Sequence, residues 1–151
     1  MRQSWILVLG ATEHLATFEL SALFPTISIQ KLSSPCVLVK DVDIDPLWLR
    51  DTAGGVVKIA RMVTVLPSVT AQALADILLQ SHKDQKSIVF GVSRYDGQSA
   101  DTHLLADIKD ELERTGLHVR FVMAKNQELS SVVIEKQRVH ELILTTSNEG
   151  T

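Results

Sequence analysis

The sequence has 151 residues, of which 45% are hydrophobic and 22% are charged, and these proportions are typical of a globular chain rather than a disordered one. The net charge of −3 argues against a protein that coats nucleic acid through bulk charge, and the single cysteine excludes a disulfide or a cysteine-based zinc site within the chain. No apolar run approaches the ~20 residues that span a bilayer and no signal peptide is recognised, so we expect a cytoplasmic protein without a membrane partner.

The first 66 residues predict strands and helices in the order β-α-β-β-α-β. A buried strand at residues 4–9 is followed by a helix that Pro25 must stop. The residues of this helix expected to face inward recur at helical spacing: Leu15, Phe18, Ala22 and Leu23. Two more strands are predicted, at residues 27–31 and 36–39.

A second short helix is then predicted from Asp45 to Ala53, with the aspartate as its N-cap and Gly54-Gly55 as its left-handed C-cap. Alternation at residues 56–65 predicts a final strand. The order is that of a split βαβ, ferredoxin-like domain, in which an antiparallel sheet carries two helices on one face.

The second half, from Pro67, predicts the order α-β-α-β-α-β. Its helices are predicted from a cap at Ser68 or Thr70 to about residue 82, from a cap at Asp101 or Thr102 to residue 115, and from a start at Glu128 or Ser130 to about residue 138. Its strands are predicted at 87–95, 118–123 and 141–145. The polar residues 146–151 are interpreted as a linker or an artificial chain end. The sequence therefore predicts an α+β chain with a ferredoxin-like domain at 1–66 and an α/β domain at 67–151.

Motifs with known catalytic or binding chemistry are incomplete in this chain. Gly10 stands where a dinucleotide-binding loop would begin, but the other two glycines of that fingerprint are missing. Ser93 begins like a nucleophile elbow, but Tyr95 replaces the second glycine, so Ser93 is interpreted as an ordinary strand residue. The five histidines show no metal-ligand spacing. We expect no catalytic residue and no metal site.

Charge is unevenly distributed in the second half. Residues 101–113 hold five acids against one lysine, whereas residues 118–140 hold four cations against two acids. The simplest interpretation is two solvated faces. The alternative is that the basic segment forms an anion-binding surface.

Four segments in order resemble one family. Residues 54–60 (GGVVKIA) are similar to the GGT-V-K-I-A segment of tRNA guanosine-N2 methyltransferases of the archaeal G10 and eukaryotic position-10 type. Residues 90–95 (FGVSRY) resemble their F-G-I-S-x-Y strand. Residues 119–133 resemble their V-R-F-V strand and L-S-S-A-x-V helix, and residues 7–23 resemble their first strand and helix.

The resemblance implies an N-terminal ferredoxin-like domain joined to a THUMP domain, an RNA-binding module. It implies recognition of tRNA through its acceptor stem and 3′ end. The family's catalytic domain, which binds S-adenosylmethionine, would follow on the C-terminal side, so no cofactor is expected in this chain.

The basic segment supplies the candidate RNA-binding residues. Lysine and arginine neutralise phosphates, and exposed amides at a helix start favour a phosphate. We expect one groove to be lined by Arg120, Lys125, Lys136 and Arg138, with Ser130 and Ser131 donating at the start of the third helix. The alternatives are a small-ligand or protein-docking module, or the N-terminal region of a DNA-modifying methyltransferase relative.

Overall fold

The computed structural model describes residues 1–147 and separates into two compact units. The first unit comprises Met1–Met62 together with the segment that begins at Thr145, and the second comprises Val63–Leu144. Within residues 1–147 the chain forms five helices and two sheets. The predicted α+β class is confirmed.

The first unit is built on a four-stranded antiparallel sheet. Its strands are β1 (Gln3–Leu9), β2 (Ile29–Lys31), β3 (Cys36–Val42) and β4 (Val56–Arg61), and its helices are α1 (Glu13–Leu23) and α2 (Pro46–Thr52). The strand order is β2-β3-β1-β4, so the two longest strands occupy the centre. The predicted strand at 36–39 extends to Val42, and the predicted strand at 56–65 already ends at Arg61.

The buried face of α1 matches the predicted one only in part, because Leu23 packs against the core and the other three predicted residues do not. Leu15 and Phe18 are 67% and 75% exposed, and Ala22 is exposed as well. The helix instead buries Ala16 and Leu20. The reason is a close approach, because Ala16 lies against the backbone of Gly55, where the larger residues of α1 would not fit.

The two glycines after α2 also differ from the prediction. The helix α2 ends at Thr52 with Ala53 as an extended C-cap, and neither glycine has a positive φ, so the predicted left-handed cap is wrong. The backbone N–H groups of Gly54 and Gly55 both donate to the Glu19 carboxylate, each at 3.0 Å. A Cβ at Gly55 would lie 2.6 Å from the Cβ of Ala16, so this glycine permits α1 to pack. The predicted cap at Asp45 is confirmed, since its carboxylate accepts from Leu47 N at 2.9 Å.

The second unit has the predicted order α-β-α-β-α-β. Its elements are α3 (Ala71–Ser81), β5 (Ser87–Arg94), α4 (Thr102–Glu113), β6 (His118–Phe121), α5 (Ser131–Gln137) and β7 (His140–Leu144). The three strands are parallel in the order β6-β5-β7. All three therefore begin at one edge of the sheet and end at the other.

Both faces of this parallel sheet are covered. Phe90 points into a core formed with α3 and α4, which contribute Leu74 and Leu105 among others. Gly91 points to the opposite face, where a Cβ would meet Leu129 and Val139. The connection that carries α5 therefore covers this second face, as parallel strands require.

The segment after β7 returns to the first unit. The backbone N–H of Ser33 donates to Thr146 O at 2.7 Å, and Thr146 N donates to Ser33 Oγ at 3.0 Å. Leu32 and Ser147 form an antiparallel bridge. The predicted linker thus begins as a paired segment, and its residues 148–151 lie outside the described residues.

Candidate nucleic-acid interface

The start of α5 is defined by a serine cap. Ser130 is the N-cap, and its Oγ accepts from Val133 N at 3.3 Å. Ser131 is the first residue of the helix and is exposed. The hydroxyl of Ser130 is therefore already engaged by the helix, which leaves Ser131 as the open hydroxyl of the pair.

Buried polar contacts attach the start of α5 to the centre of the sheet. Leu129 is 2% exposed, and its backbone N–H donates to Ser93 Oγ at 2.9 Å. Ser93 is fully buried and donates in turn to the Glu141 carboxylate on β7. Ser93 thus links the segment before α5 to the neighbouring strands β5 and β7.

The loop that carries Lys125 is held against the end of β5. The hydroxyl of Tyr95 donates to Glu128 Oε2 at 2.6 Å, and Arg94 N donates to Gln127 O at 2.8 Å. Asn126 takes a left-handed φ of 61° at the tip of the turn. These contacts leave the side chain of Lys125 exposed on a fixed turn.

The other three cations lie on or beside the end of α5. Arg120 Nη1 donates to Gln137 Oε1 at 3.3 Å, which joins the edge strand β6 to the last residue of the helix. Lys136 lies in the last turn, and Arg138 follows with a left-handed φ of 51°. All three side chains are exposed.

The six predicted residues therefore form two groups along one short helix. Lys125, Ser130 and Ser131 lie at its start, and Arg120, Lys136 and Arg138 lie at its end. Seven residues at about 1.5 Å each separate the groups by roughly 10 Å. Within residues 1–147, none of the four cations forms an ion pair with a carboxylate. The acids in the same region are Glu128, bound by Tyr95, and the exposed Glu135.

We expect Ser130→Ala to lower the free energy of unfolding of the second unit by about 1 kcal/mol, the usual effect of removing a helix cap. Ser131→Ala is the matched control, because its hydroxyl accepts no capping bond. Urea unfolding followed by amide NMR signals of α5 measures the difference. An equal effect of the two substitutions would contradict the assigned cap.

A buried ion pair lies at the carboxyl end of β5. Arg94 Nη2 contacts Asp96 Oδ2 at 2.6 Å, and its Nε contacts Oδ1 at 3.1 Å. Both side chains are more than nine-tenths buried. The hydrogen bond from Arg94 holds the pKa of Asp96 below its usual range, against the opposing effect of burial.

A second polar cluster, not predicted from the sequence, lies at the amino edge of the same sheet. His82 Nε2 and His140 Nδ1 are 2.7 Å apart, and His82 Nδ1 lies 2.8 Å from Leu78 O. A carbonyl can only accept, so His82 Nδ1 carries a proton and the neutral pair has His140 donating. Burial, and to a lesser degree the neighbouring His82, lowers the pKa of His140.

Lysines and a further histidine extend this cluster. Lys83 and Lys86 lie in the loop before β5. His118 is the first residue of β6, and its backbone N–H donates to Lys86 O at 3.0 Å. One feature of the sequence points to this cluster: the basic segment begins at His118 and ends at His140. The parallel order β6-β5-β7 brings the loop next to them, and that order could not be derived from the pattern.

No group of three or more histidine, cysteine, aspartate or glutamate residues is arranged to hold a metal ion in the described part of the chain. Across residues 1–147, no helix is long and apolar enough to cross a membrane. Comparisons with protein-family models, curated proteins and solved structures find no significant match.

Proposed function

We propose that the chain is a tRNA-binding region, in which a ferredoxin-like first unit is joined to a THUMP-type second unit. The β-α-β-β-α-β order with strands arranged β2-β3-β1-β4 supports the first assignment. The resemblance of residues 90–95 and 119–133 to the family's motifs supports the second.

The observation that carries the proposal is the state of the predicted cations. Arg120, Lys125, Lys136 and Arg138 are all exposed and none is neutralised by a carboxylate in the described residues. An exposed ion pair contributes little to stability, so these cations can stay unpaired at little cost and are available to a ligand. A phosphate backbone gives them partners, and it requires no base-specific groups.

Recognition would follow the shape of the RNA rather than its sequence. Structured RNA presents its backbone and unpaired ends to a protein, while its deep major groove is closed to side chains. Four cations spread over roughly 10 Å of surface suit two or more neighbouring phosphates. The net charge of −3 implies weak binding by the chain alone.

The proposed context is a tRNA guanine-N2 methyltransferase. A separate catalytic domain would bind S-adenosylmethionine and supply the methyl group. The residues of this chain would position the tRNA, through its acceptor stem and 3′ end, for that domain. A cytoplasmic location fits this role and belongs to the same proposal.

A filter-binding titration of tRNA tests the proposal. With four phosphates neutralised, the logarithm of the binding constant should fall with the logarithm of salt concentration with a slope of roughly −3. Lys136→Glu combined with Arg138→Glu should weaken binding about tenfold or more, because two attractive charges become repulsive. Removal of the 3′-terminal nucleotides should weaken it further.

Lys31→Glu combined with Lys40→Glu is the matched double charge reversal in the first unit, where the two lysines are exposed on β2 and β3. It should leave tRNA affinity nearly unchanged. Equal losses from both charge reversals would indicate general attraction of a polyanion. No binding at low salt would contradict the proposal and favour a docking module, and equal affinity for duplex DNA would favour the DNA-modifying alternative.

A further inference from the structure

A cleft of about 540 Å³ opens at the amino edge of the parallel sheet in the second unit. One wall is the end of α3 with the loop that follows it, and the other is the turn between α4 and β6. The cleft is lined by Leu79, Gln80, His82, Lys83, Gln85, Lys86, Thr115, Gly116, Leu117 and His118. Its volume is within the range of about 300–1,000 Å³ typical of small-molecule sites.

The lining of the cleft is cationic. Lys83 and Lys86 carry full charges, His118 adds an imidazole that can donate a hydrogen bond, and no carboxylate contributes to the lining. Asp84 belongs to the same loop but does not line the cleft, and it is exposed.

The acids at the end of α4 are already paired on their own helix. Glu111 Oε1 contacts Arg114 at 2.8 Å, and Glu113 Oε1 contacts Lys109 at 3.6 Å. Neither lysine of the cleft forms an ion pair within residues 1–147. The charge of the lining is therefore available to a ligand.

The helix ends around the cleft do not need these lysines as caps. Leu79 O accepts from His82 N at 3.2 Å, and His82 O accepts from Gln85 N at 3.2 Å. On the opposite wall, Leu112 O accepts from both the N–H and the hydroxyl of Thr115. The carbonyls of Leu79, His82 and Leu112 are thus satisfied by the backbone and by Thr115. Within residues 1–147, neither Lys83 nor Lys86 uses its side chain to cap a helix end.

His82 forms part of the wall rather than a ligand-binding group. One ring nitrogen is bonded to Leu78 O and the other to His140, so neither is free to bind a ligand. Binding of an anion therefore depends on Lys83, Lys86 and His118. The hydrophobic side chains of Leu79 and Leu117, with the amides of Gln80 and Gln85, can hold an organic body next to the charge.

We propose that this cleft binds a phosphomonoester of nucleotide size, with its phosphate held by Lys83, Lys86 and His118. A bare phosphate would use the cations but leave most of the volume empty. A nucleoside monophosphate uses both parts, because its base offers flat apolar faces and a polar edge to the glutamines. The cleft includes none of the six residues at α5, so this proposal does not rest on tRNA binding there.

The test is an NMR titration of the full chain with adenosine 5′-monophosphate, with adenosine and inorganic phosphate as partial ligands. Saturable shifts are expected at the amides of Gln80, Lys83, Gly116 and His118. The nucleotide should bind at least tenfold more tightly than either partial ligand. Lys83→Ala combined with Lys86→Ala should weaken it at least tenfold, whereas Lys31→Ala combined with Lys40→Ala in the first unit should not.

Two further arms distinguish the sources of the phosphomonoester. The first arm compares an RNA stem that carries a 5′-phosphate with the same stem carrying a 5′-hydroxyl. If the phosphorylated stem binds more tightly to the intact chain but not to the Lys83/Lys86 variant, the ligand is an RNA end. Equal binding of the two stems identifies the free nucleotide. The absence of saturable shifts at the cleft, or unchanged affinity in that variant, would overturn the proposal even if tRNA binds at α5.

Discussion

Replacing Asp96 with alanine is expected to lower the free energy of unfolding of the second unit by about 3 kcal/mol. The substitution leaves the Arg94 guanidinium buried without its partner, and an uncompensated buried charge is strongly destabilising. Hydrogen exchange of the β5 amides measures the loss within the second unit. Both tryptophans, Trp5 and Trp48, belong to the first unit, so their fluorescence should not change.

Glu111→Ala provides the control for this buried pair. It breaks the Arg114–Glu111 contact, in which the arginine side chain is 72% exposed. We therefore expect it to lower the free energy of unfolding by less than about 1 kcal/mol. The double variant Arg94→Met with Asp96→Leu should recover much of the loss, because it removes the stranded charge and keeps side-chain volume. If Asp96→Ala costs no more than Glu111→Ala, the pair is not the stabilising contact described above.

The same carboxylate makes stability depend on pH with a definite sign. The pKa of Asp96 is lowered in the folded chain from its ordinary value of 3.8, chiefly by the hydrogen bond from Arg94. The contribution of the Asp96 carboxylate to the free energy of unfolding is therefore fully present above about pH 4, and it is lost as the pH falls through the lower folded pKa. Asp96→Ala should remove this part of the acid sensitivity, which urea titrations between about pH 2 and pH 6 would show.

The second large loss of stability is expected when Gly55 is replaced by alanine. A methyl group there would lie 2.6 Å from Ala16 Cβ and 2.8 Å from its Cα, and the helix backbone must move to admit it. We expect Gly55→Ala to lower the free energy of unfolding of the first unit by about 2 kcal/mol, within the range for overpacking. Tryptophan fluorescence during urea unfolding reports this unit directly.

The neighbouring glycine supplies the matched control. A Cβ at Gly54 meets nothing within 4 Å and its φ is not positive. Gly54→Ala should therefore be neutral or stabilising by a few tenths of a kcal/mol, through reduced freedom of the unfolded chain. A large loss of stability in Gly54→Ala would instead favour the left-handed cap predicted from the sequence.

The helix and strand order was predictable because local signals agree with it. Asp45 caps its helix as predicted, and each of the other three N-caps with a side-chain hydrogen bond is one of two candidates that the sequence offers: Thr70, Asp101 and Ser130. The buried face of α1 was not predictable in the same way. Hydrophobicity favours Leu15 and Phe18, but the close approach of Gly55 selects the small Ala16, and that contact joins residues 39 positions apart.

For the candidate sites too, local patterns predict what lies along the chain but not which distant segments come together. The basic segment is visible as a run along the chain, so its four cations could be proposed from composition and charge alone. The cleft joins the loop at Lys83 to the turn at Gly116 because β5 lies beside β6. Pairing order within a sheet is a tertiary property, and periodicity within each strand does not specify which neighbour it takes.

The return of the polypeptide to Leu32 and Ser33 makes the second unit an insertion between two parts of the first. The chain crosses from one unit to the other twice, so after one protease cut at the first crossing the segment that begins at Thr145 still joins the two fragments, through its hydrogen bonds to Ser33. Shortening the chain to Leu144 would remove hydrogen-bond partners from Ser33 while leaving β7 complete. A truncation that looks like trimming of a tail would therefore damage the unit that lies farther away in sequence.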